Sequence, residues 1–169
     1  MSEDDEAAVS RGGRFRVQEG VAGIAADRWI EDEQGERVFQ VDEMALAKLQ
    51  AFILRDLHGN EVAKLQHTDL EGAEATELLR EGAKLATVRR ARAGLRHHYV
   101  IEPADGAALE VHGHVGRYDY EIRRDGDIVA TISRDWVHEH DQYGVQVRAG
   151  EDEAMLVAAA IAIDAMHTR

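Results

Sequence analysis

The 169-residue chain contains no cysteine. Disulfides, thiolate metal sites and cysteine nucleophiles are therefore excluded together. Serine is nearly as scarce, with Ser2, Ser10 and Ser133 alone. Ser133 lies in "TISRDW" and lacks the Gly-x-Ser-x-Gly elbow that exposes a hydrolase nucleophile. No Gly-rich phosphate loop of either common type occurs, which removes the usual nucleotide-binding readings. No stretch reaches the roughly eighteen apolar residues of a membrane-crossing helix, and "MSEDDEAAVSRGGRF" has neither the basic start nor the apolar core of a signal peptide. These absences predict a cytoplasmic protein with no transmembrane segment. Its length suits one domain with a full hydrophobic core.

Lysine is the next shortage. Of 20 basic residues only Lys48, Lys64 and Lys84 are lysines, against 33 Asp and Glu, for a formal charge of −13. Such a carboxylate excess keeps a chain soluble by self-repulsion but destabilises the compact state unless counter-ions screen it. The acid-rich, lysine-poor balance resembles that of halophilic proteins folded in molar salt. It also argues against nucleic acid as a partner, because phosphate neutralisation needs clustered positive charge.

What is present is a repeated unit. Residues 1–13 hold four acids and a Gly pair without apolar periodicity, so a disordered acidic tail is expected there, followed by a single domain over 14–169. From Phe15 onward, short alternating runs are joined by turns carrying Gly. In "RYDYEIRRDGDIVATIS", Tyr118, Tyr120 and Ile122 alternate with charged residues, Asp125-Gly126 supplies a tight turn, and Ile128, Ala130 and Ile132 are expected to resume the inward face. Similar turns occur at Gly35, Gly59 and Gly106, and "YGVQVR" adds a strand. Consecutive hairpins at this spacing predict a meandering antiparallel sheet closed as a barrel. One stretch fits poorly. "HTDLEGAEATELLREGAKL" combines a cap at Thr68 with helix formers, interrupted by Gly72 and Gly82, and reads as a short helix or an irregular crossover.

The chain closes on "EDEAMLVAAAIAIDAMHTR". Asp152 suits an N-cap, Glu151 and Glu153 place negative charge where the helix dipole favours it, and His167 lies near the other end. Between Ala154 and Met166 only Asp164 is polar. A helix apolar on all sides must be buried on all sides. About thirteen residues at 1.5 Å rise span roughly 20 Å, the height of a small barrel. The helix is therefore expected to thread the barrel as its core, with Ala158, Ala159, Ala160 and Ala162 permitting close approach of the wall.

The stretch "YDYEIRRDGDIVATISRDWVHEHDQYGVQV" followed by "DEAMLVAAAIAID" resembles the C-terminal half of the LURP-one-related family, and "FQVDEMALAKLQAFILRDLHGNEVAKLQ" resembles its first hairpins. The resemblance implies the Tubby C-terminal-like fold, a barrel of about twelve strands around one hydrophobic C-terminal helix, shared with phospholipid scramblases. It implies no catalytic residue and no cofactor. Tubby relatives bind phosphoinositide head groups and scramblases act at membranes, so lipid or anion binding follows by analogy of fold.

Two groups of residues stand out as sites. "GAKLATVRRARAGLRHHY" contains Lys84, Arg89, Arg90, Arg92, Arg96, His97 and His98 and no acid. Arginine's forked donors suit phosphate, and this basic island is a candidate for a lipid head group or another polyanion. The alternative is an exposed strand and turn whose arginines pair with neighbouring carboxylates. The second group is two His-x-His pairs, His112/His114 and His138/His140. Residues two apart share a strand face, so each pair could offer two imidazoles to one metal. Solvated histidines are the plainer reading, and "HEHDQ" does not match the His-Glu-x-x-His helix of metalloproteases. Trp136 and Tyr143 flank this acidic turn, either as a ligand contact or as packing on the barrel rim. The leading expectation is a non-enzymatic binding module for an anionic ligand, such as a phospholipid head group, peripheral to the membrane. The alternatives are a scaffold with a protein partner and a small metal-dependent enzyme.

Overall fold

The computed structural model describes residues 12–19, 21, 28–46, 49–70, 72–91 and 99–167. Within them, alternation of apolar and polar residues produces twelve strands: β1 (Gly13–Gln18), β2 (Arg28–Asp32), β3 (Arg37–Leu46), β4 (Leu49–Arg55), β5 (Glu61–Leu70), β6 (Ala73–Arg80), β7 (Ala83–Arg90), β8 (Tyr99–Pro103), β9 (Leu109–His114), β10 (Asp119–Arg124), β11 (Asp127–Ser133) and β12 (Gln142–Val147). Each pairs antiparallel with the next. β1 also pairs with β12, from Gly13 opposite Val147 to Gln18 opposite Gln142, so the sheet closes into a barrel and leaves no edge strand to attract another chain. Gly13 thus belongs to the first strand, and residues 1–11 of the expected tail lie outside the described residues.

The strand chemistry explains the register. Tyr120 and Ile122 on β10 and Tyr143, Val145 and Val147 on β12 are all buried, as their period of two requires. Ile128 departs from the expected pattern and is 42% exposed, while Val129 is fully buried. The β10–β11 register shifts between Ile122 and Arg123, and this bulge turns Val129 inward in place of Ile128. The largest correction concerns residues 67–85, which form no helix or crossover. They complete β5, make all of β6 and start β7. Glu81 and Gly82, at φ of 52° and 82°, form a two-residue hairpin turn of the mirror-image type, as do Asp125 and Gly126.

The one α-helix among the described residues, α1 (Glu153–His167), fills the barrel. Ala154 to Asp164 and Met166 are all buried, as the all-round apolar pattern demands. Asp152 caps it, its Oδ1 accepting the Met155 N–H at 3.0 Å. The helix packs against β5, β6, β7 and β12. Two of these strands turn fully buried alanines into the core, Ala63 of β5 and Ala86 of β7, which leave room for the helix backbone beside the wall.

Because every strand runs opposite to its predecessor, the connections alternate between the two ends. The end where α1 begins carries the short turns at Gly35, Gly59, Gly82, Gly106 and Gly126. It is tied by ion pairs: Arg80 holds both oxygens of Asp152 at 2.8 and 2.9 Å, and Arg124 holds both oxygens of Glu151 at 2.8 and 2.9 Å. The end where α1 finishes carries a 3-10 turn (Val115–Arg117) and a cluster of buried tyrosines.

Candidate functional site

Strand β7 positions the island. Lys84, Thr87, Arg89 and Arg90 from β7 line a pocket of about 470 Å³ with Glu102 of β8 and with Leu70 and Ala73, which flank the β5–β6 turn. The β7–β8 register sets Thr87 opposite Glu102 and Arg90 opposite Tyr99, which brings a carboxylate into a segment that has none of its own. Arg89 donates from Nε to Glu102 Oε1. Arg90 donates from Nη2 to the Met166 carbonyl at 2.8 Å, where it meets the negative end of the α1 dipole, and its guanidinium lies 5.5 Å from the Tyr99 ring centre. Burial pushes the Tyr99 hydroxyl up in pKa, and the nearby Arg90 charge acts against that rise. Thr87 is buried, and its Oγ1 has no hydrogen-bond partner among the described residues. Lys84 is exposed and makes no ion pair with them. Arg92 and Arg96, with His97 and His98, lie outside the described residues.

The histidine pairs are not brought together. His112 and His114 project from β9 into solvent, opposite Glu121 and Asp119 of β10, and His112 Nε2 sits 3.0 Å from Glu110 Oε2. His138 and His140 are exposed in the β11–β12 connection, and β9 neighbours neither of those strands. Among the described residues no group of three or more His, Asp or Glu stands close enough to hold a metal ion. Trp136 and Tyr143 are packing residues. The Trp136 ring covers Gly144, where an added Cβ would come within 2.3 Å of it, and Arg14 stacks 5.3 Å away. Tyr143 is fully buried and stacks on Tyr118 at 4.8 Å between ring centres.

The helix end beside the pocket holds a polar centre that periodicity did not reveal. Tyr118 donates to Asp164 Oδ1 at 2.7 Å. Burial, and then the hydrogen bond to Asp164, raise the Tyr118 hydroxyl well above its ordinary pKa. Tyr120 and Tyr143 are pushed the same way by complete burial, with Asp164 adding to it. The one signal in the sequence was the lone acid in an otherwise apolar helix.

Elsewhere on the wall, arginines pair with acids, as in Arg55 with Asp42 at 2.8 Å and Arg123 with Glu121. Arg89 follows that habit, so the ion-pairing alternative holds for it. What separates the β7 site from an ordinary ion pair is that Lys84, Arg90 and the unpartnered Thr87 hydroxyl share its pocket. No helix among the described residues is long and apolar enough to cross a membrane.

No curated protein matches the sequence. An X-ray structure of a protein from Arabidopsis thaliana matches with a TM-score of 0.66 at 18% identity, over 92% of this chain and 93% of that one, which shows a shared fold. The family model described as LURP-one-related matches residues 14–164, from the first strand of the barrel to the buried acid of its helix. The chain belongs to the LURP-one-related family.

Proposed function

We propose that this protein is a non-enzymatic binding module for an anionic ligand such as a phospholipid head group, acting at a membrane surface through the β7 pocket. The observation that carries the reading is the convergence of Lys84, Arg89, Arg90 and a buried, unpartnered Thr87 hydroxyl on one pocket of a chain with formal charge −13. A buried hydroxyl without a partner costs about 1–3 kcal/mol, and an oxyanion is the group that would relieve it there.

The test is co-sedimentation with neutral, anionic and inositol-phosphate-headed vesicles in low and high potassium chloride. The comparison protein carries Lys84→Glu and Arg89→Glu together. Arg90 is spared because it also holds the helix end. Circular dichroism establishes that both proteins are folded at each salt. Binding that requires anionic lipid and disappears in the double variant is expected. Absence of binding at every salt at which the protein is folded would overturn the reading.

A further inference from the structure

The pocket contains a carboxylate, and that narrows what it accepts. Three cations and one acid line it, yet two of the cations are engaged: Arg89 through Nε with Glu102, and Arg90 through Nη2 with Met166. Of the three, Lys84 alone is exposed and makes no ion pair with the described residues. A ligand carrying several negative charges would meet Glu102 on the pocket wall, inside the field of a chain at −13. Glu102 is itself half-exposed, and its second oxygen, like the terminal nitrogens of Arg89, makes no hydrogen bond with the described residues. The site therefore presents donors and an acceptor side by side. Leu70 and Ala73 add an apolar wall suited to a short methylene link.

We propose that the pocket selects a phosphate ester bearing a protonated amine, with Lys84, Arg89 and Thr87 on the phosphate oxygens and Glu102 on the ammonium group. The proposal rests on the anion-binding reading above and specifies the ligand within it. A diester phosphate offers one negative charge to the cations, and the amine satisfies the carboxylate that a plain anion would leave repelled. The paired Arg89 and Glu102 hold each other in place for the two halves of the ligand, which reduces the ordering cost of binding.

The experiment compares ligands that share one net negative charge, one carrying the amine together with a carboxylate and the other carrying neither. In a vesicle arm, phosphatidylserine is set against phosphatidylglycerol. In a soluble arm, glycerophosphoserine is set against glycerophosphoglycerol, and inositol trisphosphate represents the polyanions. Titration calorimetry with the full chain is expected to show about a tenfold preference for the amine-bearing ligand, equivalent to roughly 1.4 kcal/mol. Glu102→Gln should abolish that preference, leaving amine-free phosphate bound as well as before or better, while Thr87→Val should weaken both ligands and keep the preference. A preference seen only on vesicles supports the proposal with a lipid as the source, and one seen in both arms supports it with the free ester included. Tighter binding of inositol trisphosphate, or a preference that survives in Glu102→Gln, would overturn the proposal and leave the anion reading standing. If no phosphate binds in either arm, the anion reading falls, and this proposal falls with it.

Discussion

The two ends of the barrel hold the same helix by opposite means. Where α1 begins, charge does the holding at the edge of solvent: Asp152 serves both as N-cap and as the partner of Arg80, and Glu151 joins Arg124 to Arg148. Where it finishes, Tyr118 holds the buried Asp164, and the part-buried Arg90 holds the Met166 carbonyl of the last turn. Half-exposed ion pairs are weak and sensitive to salt, whereas a satisfied buried hydrogen bond becomes expensive once a partner is removed. The difference shows that fastening and exposure trade against each other. At the end that carries the candidate pocket, the bond from Tyr118 to Asp164 lies away from surface charge, so a charged ligand can act there without contesting it.

This contrast can be broken most forcefully at Asp164. Asp164→Ala strands the Tyr118 hydroxyl in the interior and should cost about 2–3 kcal/mol in urea unfolding, while Asp164→Asn keeps an acceptor and should cost less. Next comes Asp152→Ala at the other end, which loses a cap and the Arg80 pair together, an expected loss of about 1–2 kcal/mol that shrinks in high potassium chloride. A change of similar size for the two alanine variants, equally sensitive to salt, would erase the distinction between the ends. Gly82→Ala probes the short-turn end alone. An added Cβ there meets nothing within 4 Å, but φ is 82°, so only backbone strain is introduced and the loss should be about 1 kcal/mol in a thermal melt.

The smallest effect is on pH dependence, again at the end where the helix begins. Hydrogen bonds from Arg124, against the opposing effect of burial, hold the Glu151 carboxyl below its ordinary range. For Asp152, burial acts upward, but the bonds from Arg80 and the Met155 N–H outweigh it and the net shift is downward. A carboxylate lowered on folding stabilises above its unfolded pKa of about 4 and loses that contribution as pH falls through its folded value. Glu153 works the other way, since burial and then Asp152 raise it, so its penalty at neutral pH is relieved on acidification. Below about pH 4 the thermal midpoint of Asp152→Asn should fall less steeply than that of the parent. Parallel curves would remove Asp152 from the acid response.

How much of this was legible in the sequence depended on whether the signal was local. The hairpins at Asp125-Gly126 and the helix after Asp152 announced themselves because turn chemistry and capping act within a few residues. Residues 67–85 misled for a physical reason: "AEATELL" reads as helix because of its Ala, Glu and Leu, but the segment is hydrogen-bonded along both edges, to β5 and to β7, and turns Leu78 into the core. Those partner strands lie outside the segment, and local propensity cannot register them. The basic island was visible as composition. The partner that gives the pocket its character, Glu102, was not, because only the β7–β8 register places it opposite Thr87. The histidine pairs illustrate the reverse, a spacing that suggests chemistry which the strand order does not assemble.

The order of elements along the chain has a consequence for how the molecule is made. All twelve strands precede the helix that fills them, and the seam between β1 and β12 joins residues more than a hundred positions apart. During synthesis the inner faces of the wall exist before anything is available to cover them. A growing chain that stalls short of residue 153 is an apolar lining without its contents. Slow closure and aggregation of such fragments are expected of so non-local a topology, and the fifteen residues of α1 are what end that exposure.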